Sequence, residues 1–264
     1  MRICASSPEI SATKPMRALV INLAHETKRL AFQTAQAESL RLELEIVPAV
    51  SVSQLPGLAG EMNWDRWQRP LRETEKAALL SHRSAWHRVI ALGVPTLVLE
   101  DDAWLMPNAV PLLLQAERLP GLEHLSLETR GRMKLLGAPH PKLPTVRRLW
   151  LDRTGAAAYL LWPEGARKLV DRSSQVAALA DAVLVETPGL LRWQAAPAQA
   201  IQIDMAAHYG LAPPIPINSA ISNAERPQNR SRRQRFTRFA RQIQMGVALL
   251  RPGTERVELR PQVD

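Results

Sequence analysis

Three consecutive carboxylates, Glu100, Asp101 and Asp102, close an apolar run, Leu97-Val98-Leu99. Like charges held side by side repel, and the cost falls when a cation sits among them. Hard oxygen ligands suit Mg2+ or Mn2+, usually shared with a phosphate-bearing substrate. Side chains two apart on an extended backbone point the same way. Glu100 and Asp102 are therefore the expected metal pair, with Asp101 directed elsewhere. The plain alternative is a strand followed by a solvated acidic turn.

The elements around this run decide between the two. Val94 to Leu99 is bounded by Pro95 and preceded by a helical pattern, so it reads as a buried strand of an α/β sheet. Open α/β sheets bind ligands beyond the carboxyl ends of their strands, which is where the acids fall. Upstream, residues 17–23 read as a strand, 26–40 as a helix and 44–50 as a second strand, a β-α-β start that suggests a mostly parallel sheet. Residues 51–71, with Trp64 and Trp67, read as an irregular excursion, and 73–92 as a long helix with Ala77, Leu80, Trp86 and Ile90 at helical spacing. Downstream, the pattern predicts a short helix over 107–118, a strand over 133–136, a loop over 139–144, a strand over 155–162 and a helix from Pro163. Residues 180–184 follow, then strand character over 191–203.

The chain has 264 residues, of which 46% are hydrophobic, enough for one large domain or a domain with an appendage. No apolar run approaches the roughly 18–20 residues of a membrane span. Residues 1–15 lack the apolar centre of a signal peptide and read as a disordered extension. The only cysteine, Cys4, lies there, so an internal disulfide framework is excluded and a cytosolic location is expected. The net charge is +9, but residues 225–264 hold ten Arg against four acids, a net of +6, which leaves +3 for the rest. Within 226–251, Phe236, Phe239, Ala240, Ile243, Val247 and Leu250 recur at helical spacing beside seven arginines, from Arg226 to Arg241. Such a basic amphipathic helix suits an anionic membrane surface. Packing on the domain and nucleic-acid binding are the alternatives. The near-neutral body and the lack of a base-stacking aromatic array count against nucleic acid.

Several segments, in order, resemble the family 25 glycosyltransferases, enzymes of bacterial lipooligosaccharide synthesis. They are Val20-Ile-Asn-Leu23 with Lys28-Arg29, Glu75 to His82 with Trp86, Leu97 to Asp102, and Gly155, Ala158 and Tyr159. Asp181, Pro197-Ala198 with Gln202, and Ser219 and Ile221 with Glu225-Arg226 complete the series. The resemblance spans roughly residues 17–226. Thr74 and Ala156 depart from the family pattern, which has Gly and Thr there. It implies a GT-A-like single domain over 16–224, with the extension 1–15 before it and the basic tail 225–264 after it.

The resemblance further implies an inverting, metal-dependent transfer of a hexose, galactose or glucose, from a UDP-sugar. The acceptor would be a lipopolysaccharide or other lipid-linked envelope glycan at the cytosolic face of the inner membrane. Mn2+ or Mg2+ would sit at Glu100 and Asp102 and offset the charge of the leaving diphosphate. Asn22, Arg29, His82, Asp101 and Tyr159 would contact the donor. The base for the acceptor hydroxyl would be Asp181 or Glu75. Each has a structural counter-reading: a helix cap for Asp181, a surface carboxylate for Glu75, a hydrogen-bonded core residue for His82, a surface arginine for Arg29, and a core aromatic for Tyr159. His208, after a late strand, could complete a metal site but reads better as a loop histidine. A nucleic-acid-binding protein working through its arginine tail, or a family member that has lost catalysis, are the competing functions.

Overall fold

The computed structural model describes residues 15–60, 62–152, 155–216, 251 and 253–263. In chain order these form β1 (Arg17–Asn22), α1 (Thr27–Leu40), β2 (Glu43–Pro48), the one-turn helix α2 (Leu55–Leu58), α3 (Glu73–Leu92), β3 (Thr96–Glu100), β4 (Ala103–Leu105) and α4 (Ala109–Ala116). They continue with β5 (His124–Ser126), β6 (Met133–His140), β7 (Leu143–Leu151), β8 (Ala158–Leu161), α5 (Pro163–Gln175), α6 (Ala180–Glu186), β9 (Arg192–Ala195), β10 (Ala200–Gln202) and β11 (Glu255–Glu258).

The opening β-α-β unit forms as expected, with β1 parallel to β2 on one side and to β3 on the other. Among the described residues the large sheet has nine strands in the order β11-β6-β7-β9-β5-β8-β3-β1-β2. β1, β2, β3, β5, β6 and β9 run in one direction, and β7, β8 and β11 run against them. The sheet is thus mostly parallel in direction while antiparallel neighbours are woven through it.

Both faces are covered, which explains why β3 and β8 are continuous apolar runs without alternation. On one face Leu97, Leu99, Leu125 and Leu160 pack with Ala37 of α1 and Leu112 and Leu113 of α4. On the other, Val98, Tyr159 and Leu161 pack with Trp86 and Val89 of α3, Leu169 of α5 and Val183 of α6. Helix α3 spans the predicted residues. The Glu75 carboxylate accepts the Arg72 backbone N–H at 2.9 Å and caps its start. Gly93, at φ 68°, ends it in the left-handed region, where a side chain would be strained.

Three expectations change. Residues 139–144 are not a loop: β6 and β7 form an antiparallel hairpin there. Residues 191–203 divide between two sheets, because β10 leaves the large sheet and pairs with β4 as a separate antiparallel ribbon. Gln202 is thereby placed opposite Ala103, next to the acidic turn. The C-terminal segment, expected to belong wholly to the tail, returns as β11 on the edge of the large sheet. The extension at residues 1–14 and the basic helix expected over 226–250 lie outside the described residues.

Candidate functional site

The carbonyl ends of β2, β1 and β3 lie level, with Asn22 beside Pro48 and Ile21 beside Glu100. Beyond them opens a cleft of about 340 Å³. Its walls are the start of α1 with Glu26 and Arg29, residues 49–52 after β2, the α3 face carrying Ala77, Ser81 and His82, and Gln202 at the end of β10 with Asp204 after it. Its floor is Glu100, Asp101 and Asp102. Ser81 holds one wall in place. Its hydroxyl donates to the Ala77 carbonyl at 2.8 Å and accepts the Val50 N–H at 2.8 Å.

Each acid has its own set of partners. The buried Asp101 accepts from Asn22 Nδ2 at 3.0 Å and from Arg29 Nη1 at 3.0 Å. Its backbone carbonyl accepts from Gln33 of α1 at 3.2 Å. Burial pushes the Asp101 carboxyl above its ordinary value, although Arg29 and Asn22 pull it down. Glu100 Oε1 meets His82 Nε2 at 3.0 Å, and Oε2 accepts from Gln202 Nε2 at 3.2 Å. The same Gln202 nitrogen lies 3.3 Å from both oxygens of Asp102. Glu100 and Asp102 therefore converge on one point while Asp101 turns aside, although Asp101 and Asp102 form a turn and not the extended backbone used in the sequence argument. Burial, then the neighbouring charges of Glu100 and Asp101, push the Asp102 carboxyl up to about 7.

These residues fit a divalent ion of the Mg2+ or Mn2+ kind. Two carboxylates aimed at one donor, one of them raised by burial and then by its acidic neighbours, make a place where positive charge is favourable. Among the described residues no three His, Cys, Asp or Glu side chains form a cage. Magnesium-type sites do not need one, because waters and substrate phosphates complete the shell.

The remaining expected residues divide. Arg29 lines the cleft, and its guanidinium is engaged with Asp101 and, at 3.7 Å, with Glu26. His82 borders the cleft but is 1% exposed, with Nδ1 3.0 Å from the Tyr159 hydroxyl. Tyr159 does not line the cleft: its ring is fully buried, and its hydroxyl accepts from Trp86 Nε1 at 2.8 Å. Glu75 does not line the cleft either. It caps α3 and takes both Nη groups of Arg69, at 2.7 and 2.8 Å. Burial would raise its carboxyl, yet the bonds from Arg69 and Arg72 outweigh that and hold it below the ordinary value. An acid held ionised in this way is a poor base.

Asp181, in the first turn of α6, accepts the Ala182 N–H at 2.6 Å and acts electrostatically on Arg69, so it belongs with Glu75 and not with the cleft lining. His208 faces Glu258 at 4.0 Å and packs edge-on to Tyr209.

Sequence reasoning missed Asp204. It lines the cleft and is held by Arg130 Nη2 at 2.7 Å. The available signal was Gln202-Ile203-Asp204, a second pair of polar residues two apart after a strand. Also unforeseen is a buried polar cluster behind the site. Lys134 Nζ donates to the Glu128 carbonyl at 2.9 Å, to Gln194 Oε1 at 2.7 Å and to the Asp152 carboxylate. Glu128, 2% exposed, accepts the Ala157 N–H at 2.6 Å, and burial pushes its carboxyl up to about 8.

Residues 16–129 match the family model described as glycosyltransferase family 25 (LPS biosynthesis protein). The chain is a glycosyltransferase. The matched span carries Asn22, Arg29, His82 and the three acids, while Gln202 and Asp204 come from beyond it. Among solved structures, the chain is similar to a glycosyltransferase involved in the glycosylation of the major capsid of PBCV-1. The identity is 9%, the coverage is 86% of this chain and 100% of that one, and the TM-score is 0.43. No curated protein matches the chain. No helix among the described residues is long and apolar enough to cross a membrane.

Proposed function

We propose that this glycosyltransferase is metal-dependent and inverting, with a GT-A-like site, and moves galactose or glucose from a UDP-sugar to a lipopolysaccharide or other envelope glycan. The observation that carries the reading is the convergence of Glu100 and Asp102 at the floor of a cleft at the carbonyl ends of parallel strands. Glu100 and Asp102 would hold a divalent cation there, and it would supply positive charge to the departing diphosphate.

The chain's own residues do the rest. Asp101, fixed by Asn22 and Arg29, locks the start of α1 against the acidic turn, so the floor is set before substrate arrives. Arg29 brings a guanidinium to the cleft wall, beside the place of the phosphates. The acceptor hydroxyl attacks the anomeric carbon, the bond from that carbon to the diphosphate oxygen breaks, and the hydroxyl proton passes to a carboxylate. Asp204 is the fitting one: it faces the cleft from the β10 side, and Arg130 fixes its direction. The basic tail at 226–251 would hold the enzyme to the anionic cytosolic leaflet, where a lipid-linked acceptor is presented.

Thermal shift against a panel of nucleotide-sugars, with and without Mn2+, tests this. A ligand at 100 times its Kd stabilises the folded state by about 2.7 kcal/mol. One UDP-hexose should raise the melting temperature only with metal, and Asp102→Ala should abolish the rise. Equal shifts with and without metal would remove the metal from the mechanism, and no shift with any donor would remove the donor.

A further inference from the structure

The geometry points to a fixed proton order in the row Trp86–Tyr159–His82–Glu100, which makes His82 a positioning residue that presents an Nε2–H to Glu100 and sets the direction of that carboxylate in the site. The inference rests on the proposed metal and donor site, and it draws only on hydrogen-bond chemistry inside the chain.

The order follows from what each group is able to give. The indole of Trp86 is a donor only, and it points at the Tyr159 oxygen at 2.8 Å. The Tyr159 hydroxyl has a single proton, and burial holds it well above its ordinary pKa, so the proton stays on. A fully buried hydroxyl proton needs an acceptor, and His82 Nδ1, 3.0 Å away, is in reach to take that role. Nδ1 is then the bare nitrogen of the ring. The imidazole proton lies on Nε2 and is given to Glu100 Oε1 at 3.0 Å. Both Trp86 and Tyr159 are fully buried, so water does not reorganise the row from behind.

The arrangement joins three separate stretches of sequence: α3 supplies His82 and Trp86, β8 supplies Tyr159 and β3 supplies Glu100. With His82 holding Oε1 from the core side and Gln202 holding Oε2 from β10, Glu100 has one orientation. Groups behind a ligand that fix its direction are commonly worth about 10- to 100-fold in metal affinity or activity. His82 thus serves the site without touching the donor.

Long-range 1H–15N spectra of the imidazoles read the tautomer directly. The chain has six histidines, and the signal lost in His82→Gln identifies the one in question. Wild-type protein should show His82 with Nε2 protonated and Nδ1 bare. Tyr159→Phe should mix the tautomers and raise the half-saturating Mn2+ concentration about 10-fold or more. Trp86→Phe, which leaves the hydroxyl able to turn, should do so more weakly. A wild-type ring protonated on Nδ1 would overturn the inference. So would a Tyr159→Phe protein that is folded by circular dichroism and keeps both the tautomer and the metal requirement of wild type. Should the wild-type tautomer be as stated while no nucleotide-sugar is turned over, the transferase reading fails and the proton order stands.

Discussion

Replacing Glu128 by Gln should stabilise the protein at neutral pH, and by an amount that grows with pH. Glu128 is buried behind the site, and its carboxyl is pushed from 4.5 up to about 8, mainly by burial, against the pull of the nearby Lys134. The unfolded chain releases this proton near the ordinary value while the folded chain keeps it until about 8. Between those limits the unfolded state binds fewer protons, so stability falls as pH rises. Every tenfold change in proton affinity is worth about 1.4 kcal/mol, so the loss reaches a ceiling of about 5 kcal/mol once both limits are passed. A neutral glutamine keeps an oxygen for the Ala157 N–H and does not ionise. Urea unfolding of both proteins from pH 5 to 8.5 measures the difference. The gap should be small at pH 5 and widen by roughly 1 kcal/mol per pH unit up to pH 8. A gap that stays constant, or wild-type protein that gains on the variant as pH rises, would mean that Glu128 is ionised in the fold. The charge balance with Lys134 and Asp152 would then have to be rewritten.

Other outcomes follow from the same geometry. Asp102→Asn should keep the melting temperature within a few degrees and cut metal-dependent donor hydrolysis about 100-fold or more. Glu75→Ala should cost about 2 kcal/mol by uncapping α3 and releasing Arg69, a drop of several degrees in melting temperature, with donor hydrolysis kept. An activity loss without that drop would restore Glu75 as a base. Asp204→Asn should spare donor binding and reduce transfer to the acceptor by about 100-fold, and transfer at the wild-type rate would exclude it as the base. Removing residues 226–264 would also delete β11, so the tail is better tested by changing Arg230, Arg232, Arg233 and Arg235 to Gln. Binding to vesicles with anionic lipid should fall steeply in that variant while turnover of a soluble acceptor is unchanged.

What could be read from the sequence was what short-range patterns encode. α3 was legible because its apolar spacing, its acidic first turn and Gly93 all agree. β1 and β3 were legible because parallel strands buried on both faces are plain apolar runs, and β2, at the sheet edge, because Leu44, Ile46 and Val47 stand out between turn residues. β4, β5 and β10 have three residues each, too few for any period to show. β7 was hidden because Pro144 and paired polar residues break its alternation, and the strand exists through its pairing with β6 and β9. The acids were legible as a cluster and Glu100 and Asp102 as a pair. Asp181 and Glu75 lie off the cleft lining, because motif order does not say which face of a helix looks into a cleft. Both sit around Arg69, where a carboxylate stabilises a helix start instead of taking a proton.

The site is also divided in a way that bears on its assembly. The span that matches the family supplies the floor and every wall but the one carrying Gln202 and Asp204. The partner that Glu100 and Asp102 both touch is Gln202, one hundred residues further on, delivered by a ribbon that forms only when β10 leaves the large sheet to pair with β4. That departure is pinned from the far end of the chain. Thr129 Oγ1 donates to the Leu259 carbonyl at 2.9 Å, Gln199 Nε2 donates to Gln262 Oε1 at 2.7 Å, and Ala198 bridges to Pro261. Residues 259–262 therefore strap the segment that leads into Gln202 and Asp204. A substitution there that breaks the strap, such as Gln262→Ala, should act on the active cleft from a distance by loosening the β10 side, while the floor set by Asn22, Arg29 and Asp101 is kept. Donor affinity would then survive better than transfer, since the side that weakens is the one carrying Asp204.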